Sequence, residues 1–179
     1  MSSGSLALTG VIIGAVASYI ATTLNERTRW KRQLVSRWDE RRLESYSLFA
    51  SSIDRHVVLA ERIAAARGIF PYAQPIGQQD GTSAMEVFRA ERSHAFEQVL
   101  LLGDAPTIAA ARSVQRKVWE LERIVNDPHG SADEWKVAYR TYQEHRDGYY
   151  IAARASLGIA MQFRRRSEDP PTWDLPQSS

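Results

Sequence analysis

The side chains best suited to acid–base or metal chemistry are four histidines, at positions 56, 94, 129 and 145, in a chain of 179 residues with no cysteine. Glu91-Arg92-Ser93-His94 has the Glu-x-x-His spacing with which di-iron helical bundles hold metal. Such bundles need a second copy and a Glu on each of two further helices. The chain has no second Glu-x-x-His, so a solvated charged face is the simpler expectation. His145 falls at helical spacing between Tyr142 and Tyr149. An imidazole buried there needs hydrogen-bond partners, and the tyrosine hydroxyls, Glu144 and Asp147 are near in sequence. Tyr142, His145 and Tyr149 therefore form a candidate buried polar site. Structural satisfaction is its default role, with pH sensing or ligand binding as the sharper alternative. The missing cysteines exclude disulfides, thiolate metal sites and cysteine nucleophiles. No Walker A, GxGxxG, HExxH or GxSxG pattern occurs. No catalytic, cofactor-binding or metal-binding residue is assigned.

The elements that would carry these groups read as helix almost throughout. Leu43, Tyr46, Ala50, Ile53, Val57, Ala60 and Ala64 alternate spacings of three and four, the seam of a bundle helix. No Gly or Pro falls between Asn25 and Arg67, so a helix running to Gly68 is expected, about 60 Å long at ~1.5 Å per residue. Residues 68–82 are rich in Gly and Pro and read as a loop. A second helix is expected from Ser83, where Ser-x-x-Glu to Glu86 is a capping box. It runs through Phe88, Ala95, Phe96, Val99 and Leu100 to Gly103. Asp104 then caps a third helix with Pro106 in its first turn. Ile108, Ala111, Val114, Val118, Leu121 and Val125 mark its inner face. After Asp127-Pro128-His129-Gly130, Ser131 and Glu134 form another capping box. The fourth helix is expected to reach about Arg165, with Trp135, Ala138, Tyr142, His145, Tyr149, Ala152, Ser156 and Ile159 on its seam. No stretch alternates at period two. The fold class is all-α, an up-down-up-down four-helix bundle over residues 43–166, which can bury one adequate core. Ser167 to Ser179 holds three prolines and reads as a disordered tail, where Trp173 offers a short anchor for a partner.

Upstream, Leu6 to Leu24 is nineteen residues without a charge, enough to cross a bilayer as a helix. A cleaved signal peptide competes with that reading, since Ala15-Val16-Ala17 is an A-x-A site. No Lys or Arg precedes the run, however, and it continues through Ser18 to Leu24, so an uncleaved anchor is favoured. Residues 1–5 would be a short external N-terminus, 6–24 the transmembrane helix, and 25–42 a basic juxtamembrane helix continuous with the first bundle helix. Gly10, Gly14, Ser18 and Thr22 recur every four residues, a small-residue face that lets two membrane helices approach closely.

The flank sets the orientation. Arg27, Arg29, Lys31, Arg32, Arg37, Arg41 and Arg42 against Glu26, Asp39 and Glu40 leave +4 on residues 25–42. The whole chain is +2, so the remainder sums to −2. Basic residues stay on the cytoplasmic side of a span, which places residues 25–179 in the cytoplasm. Each Lys or Arg near anionic lipid gains ~1 kcal/mol. Trp30, Leu34 and Trp38 share one helix face, with the tryptophans suited to the headgroup zone. A basic patch also suits nucleic acid, but beside a span the lipid surface takes precedence, and no nucleic-acid partner is expected. Tyr149 to Phe163, with only Arg154 charged, is too short for a second span and reads as core, with an oligomer interface or in-plane membrane contact as the alternative.

An uncharged N-terminal span, a Trp-containing basic flank, RWDERRLESYSLFASSIDR and LLLGDAPTIAAARSVQRKVWEL together resemble a group of uncharacterised actinobacterial single-span membrane proteins with a helical cytoplasmic domain. The resemblance implies architecture and a bacterial inner-membrane address, and no activity. Two function classes follow. One is a membrane-tethered, non-catalytic helical interaction module, either a self-associating scaffold or an accessory subunit beside another membrane protein. The other is a membrane-anchored enzyme or a ligand or pH sensor, with a site in the bundle around His145 or Glu91 and His94.

Overall fold

The computed structural model describes residues 37–159 and 165–168. It divides at Arg41/Arg42 into two units. Of the first, only residues 37–41 are described, and they are helical. The second is an all-helical bundle: α1 (residues 37–66, of which 42–66 belong to the bundle), α2 (Gln78–Leu102), α3 (Ala105–Asn126), α4 (Ala132–Ser156) and a 3-10 turn at Arg166–Glu168. There is no strand among the described residues.

Two of the expected caps form. The Asp104 carboxylate accepts the Thr107 amide at 3.0 Å. At α4, Ser131 and Glu134 exchange both bonds of a capping box. The expected start of α2 is wrong by five residues. The helix begins at Gln78 behind Gly77, without a side-chain cap, and Ser83 is an exposed interior residue. The reason lies in Gly81, where a Cβ would sit 3.0 Å from the Ile63 side chain. The first turn of α2 can therefore lie directly on α1, and that packing replaces the missing cap. The expected end of α4 is also corrected, from Arg165 to Ser156. Gly158 takes a left-handed φ of 67°, at which the Gly158 and Ile159 amides bond back to Ala155 and Arg154. This is the glycine stop common at helix C-termini.

The core is filled by large side chains at the expected period. Phe49, Val118, Leu121 and Trp135 are fully buried, as is nearly all of Tyr149; each such burial is worth about 1.5–3 kcal/mol. On α1 the seam holds at Tyr46, Ile53, Val57, Ala60 and Ala64, while Ala50 is half-buried and Leu43 is 52% exposed. The start of α1 lies beside the ends of α4 and α2. The Tyr46 hydroxyl meets Ser156 at 2.9 Å, while Phe49 lies 5.8 Å from Phe96. α3 and α4 pack along most of their length, whereas α2 approaches α3 at few backbone positions. Two arginines tie helix ends. Arg42 Nε donates to the Leu102 carbonyl at the end of α2. Arg67 donates to the Ile124, Val125 and Pro128 carbonyls at the end of α3. Both positions favour a cation because the last carbonyls of a helix lack partners within it.

Candidate functional site

Two polar clusters lie in the bundle. The first is buried where α1, α2 and α3 meet. His56 is completely buried, with Nε2 3.0 Å from Glu122 Oε2 and Nδ1 3.1 Å from Arg92 Nη1. Arg89 adds a bond from Nε to Glu122 Oε1 at 2.7 Å, and its terminal nitrogens bond Glu122 and Glu86. The Arg92 guanidinium carbon lies 5.6 Å from the Trp119 ring centre, a cation–π contact. One neutral tautomer satisfies this arrangement: Nε2–H donates to Glu122, and the Nδ1 lone pair accepts from Arg92.

Charge follows from that geometry. Burial holds the His56 pKa below its ordinary value, outweighing the Glu122 hydrogen bond that acts the other way. Burial alone would raise Glu122, but hydrogen bonds from His56 and Arg89, with the charge of Arg89, bring it down to about 2. Burial also pushes Arg92 down to about 10, against the pull of Glu122. At neutral pH the cluster is a neutral imidazole, one carboxylate and two guanidiniums. No cavity adjoins His56 or Glu122 among the described concavities.

The second cluster is a groove between α1 and α4. A pocket of about 80 Å³ is lined by Asp54, Glu61, Tyr139, Tyr142, Arg146 and Arg166, among others. A shallower concavity of about 380 Å³ shares Asp54 and Arg146 with it and adds Ser47, Ser51 and Tyr150. The 3-10 turn supplies Arg166 and is fixed from below. The buried Asp147 carboxylate accepts the Arg166 amide at 3.2 Å and the Ser167 amide at 2.8 Å. Burial raises the Glu61 pKa, opposed by its hydrogen bond with Tyr139, and burial with the charge of Glu61 raises Tyr139.

Arg92 leaves its Nε buried without a partner, whereas Arg146 in the second cluster is loosely paired at the edge of solvent. The Arg146 side chain is only 14% exposed, yet its nearest carboxylate oxygen, on Asp54, is 3.6 Å away and its one hydrogen bond, to the Tyr150 hydroxyl, spans 3.5 Å. The Tyr150 ring lies beneath it at 5.2 Å.

The three residues expected to form one buried polar site face different ways. Tyr142 is buried at the wall of the α1–α4 groove. His145 is half-buried and turns to α3, where Nδ1 lies 3.1 Å from Ser113 Oγ. Tyr149 is core, its hydroxyl donating to the Tyr46 carbonyl at 3.1 Å. Neither Glu144, which is exposed, nor Asp147 bonds His145. Glu91 pairs with Arg55 at 2.9 Å, and His94 lies beside Gln98, both in water. Among the described residues, no group of three or more His, Asp or Glu side chains could hold a metal ion. Arg37, Trp38 and Arg41 are exposed, Trp38 by 59%. Gly10, Gly14, Ser18, Thr22, Arg27, Arg29, Trp30, Lys31 and Arg32 lie outside the described residues. Among the described residues, no helix is long and apolar enough to cross a membrane.

No family model, curated protein or solved structure matches the chain.

Proposed function

We propose that this chain is a membrane-tethered, non-catalytic helical interaction module, a self-associating scaffold or an accessory subunit of a membrane assembly. The observation that carries the reading is the uncharged run Leu6–Leu24 followed at once by the basic flank. That pairing of features is what a single span with a cytoplasmic C-terminal domain requires. The finer architecture belongs to the same proposal: the span continues as a helix into α1, and the helices alternate up and down. The resemblance to actinobacterial single-span proteins adds a bacterial inner-membrane address, with the N-terminus outside.

Two features support association. Gly10, Gly14, Ser18 and Thr22 give the span a face on which a second copy or another membrane helix can pack closely. In the bundle, Leu43, Leu101 and Ile159 are 52%, 82% and 39% exposed. All three belong to the end layer where Arg42 reaches Leu102 and Tyr46 reaches Ser156. Apolar surface exposed in that layer is available to a partner of the bundle.

Cross-linking in native membranes followed by mass spectrometry tests the reading. A captured second copy or a second membrane protein is expected, and replacing Gly10 and Gly14 with Ile should weaken the capture. Monomer alone in mild detergent, with nothing captured in cells, would end the proposal.

A further inference from the structure

The groove between α1 and α4 has the composition of a receptor site for a small zwitterion. Its walls carry both signs of charge, from Asp54 and Glu61 on α1, Arg146 on α4 and Arg166 on the 3-10 turn. These charges do not saturate one another. Asp54 and Arg146 stand 3.6 Å apart, beyond the 2.7–2.9 Å of a charge-assisted hydrogen bond. Arg146 has five N–H donors, and its polar contacts are the 3.5 Å bond to Tyr150 and the loose approach to Asp54. The spare donors of this half-buried guanidinium reach the solvent of the groove, where a carboxylate could take them in bidentate form. The Tyr150 ring lies beneath the cation at 5.2 Å.

Size narrows the class. A volume of about 80 Å³ corresponds to roughly two to three waters at ~30 Å³ each. That room accommodates the head group of an α-amino acid and little more. The neighbouring concavity of about 380 Å³ is open to solvent and shares Asp54 and Arg146, so a side chain on the ligand would extend into it along Ser51 and Tyr150. We infer that the α1–α4 groove binds the head group of a free amino acid, its carboxylate on Arg146 and its ammonium against Glu61 and Asp54. The site is independent of the membrane-module reading and would give such a module a soluble signal to respond to.

The test is calorimetric titration of the full chain in mild detergent with glycine, and separately with acetate and methylammonium. Saturable binding of glycine is expected, at least tenfold tighter than either half-ligand. Glu61→Gln should bring glycine to within about twofold of acetate, and Arg146→Gln should abolish saturation. Because Arg146→Gln removes a half-buried side chain, the wild-type chain supplies a second measurement. Glycine should shift the Arg146 side-chain Nε resonance in a ¹⁵N-arginine spectrum while leaving that of Arg67 in place. The inference is overturned by absence of saturable glycine binding, by glycine no tighter than acetate, by unchanged affinity in Glu61→Gln, or by an unmoved Arg146 resonance.

Discussion

His56 and Asp54 are two residues apart on α1, and the helix turns them toward opposite outcomes. His56 points inward to a cluster in which both ring nitrogens, the carboxylate of Glu122 and a guanidinium are close enough to bond. Asp54 points to a groove in which the charges stand a little too far apart to bond, with space between them. The residue types are nearly the same: acids, arginines and a ring. What differs is closure. A buried polar network in which the ring and the carboxylate are bonded fixes how helices pack, although Arg92 Nε is left without a partner. A similar set left open to solvent and incompletely paired keeps its donors for something else. The difference separates a part of the molecule that holds the fold from a part free to bind, and it can be broken experimentally.

The largest effect is expected from Glu122→Gln. Glu122 counters Arg89 and Arg92 in a site where its side chain is 9% exposed. Removing one member of a buried ion pair costs about 3–5 kcal/mol. A loss of about 3 kcal/mol, the low end of that range, is expected because Arg89 is partly in water and keeps Glu86. Urea unfolding monitored by circular dichroism measures it. A loss below about 1 kcal/mol, the range of exposed pairs, would mean that the cluster is not what joins α2 to α1 and α3.

Acid should act on the same cluster. The folded pKa of His56 lies below its ordinary value of 6.5 because the ring is buried. As pH falls through 6.5 the unfolded chain therefore takes up this proton first, and the folded state loses stability. The contribution is complete above pH 6.5 and declines below it, by up to about 1.4 kcal/mol per pH unit for one proton. Protonation would also set an Nδ1–H against the Arg92 donor, with Arg89 adding repulsion and Glu122 the sole carboxylate bonded to the ring. Glu122 titrates lower still: its contribution holds above the ordinary 4.5 and is lost as pH falls toward about 2. Thermal midpoints of the wild type and His56→Gln, followed from pH 7.5 to 5, should converge as pH falls. Parallel curves would show that another group carries the acid response.

Much of the fold is legible in the sequence because it depends on period and on local caps. The inner faces of α3 and α4 follow from spacing alone, and Asp104 and Ser131 announce their helices by residue type. The start of α2 is not legible, since it depends on the Gly81 backbone resting on Ile63, a contact between segments far apart in sequence. The stop at Gly158 rests on a glycine free to turn left-handed, but the continuing apolar character of Tyr149 to Phe163 masks it in the sequence. The polar clusters show the same divide. His56 lies on the α1 seam beside Val57, and Arg92 and Glu122 sit among apolar neighbours on α2 and α3, so each could be flagged as a buried polar residue. Nothing in one sequence says that the three meet. Tyr142 is buried as its spacing predicts, but its neighbours in the groove come from α1 and the 3-10 turn rather than from His145 and Tyr149.

The turn that closes the groove offers a smaller and more local test. Asp147 is 3% exposed and accepts the Arg166 and Ser167 amides. Asp147→Asn keeps one acceptor oxygen and loses the charge, so a cost of about 1 kcal/mol is expected. The loss should appear in hydrogen exchange as faster exchange of those two amides, with amides of α3 unchanged. Exchange that rises across the whole bundle would join the groove to the folding core and weaken its contrast with the His56 cluster.

The smallest effect is expected from Asp54→Asn, and it bears most directly on the contrast. Asp54 is 52% exposed and pairs with Arg146 only at 3.6 Å. An exposed pair of that kind contributes about 0–1 kcal/mol, and the longer separation puts this one at the low end, so a change within about 0.5 kcal/mol is expected. Urea midpoints of the two proteins, compared at low and moderate salt, should nearly coincide. A loss above about 1.5 kcal/mol would place Asp54 and Arg146 in the same class as Glu122 and Arg89. The groove would then be a second fastening of the fold, and the looseness of its charges would no longer mark it as open to a ligand.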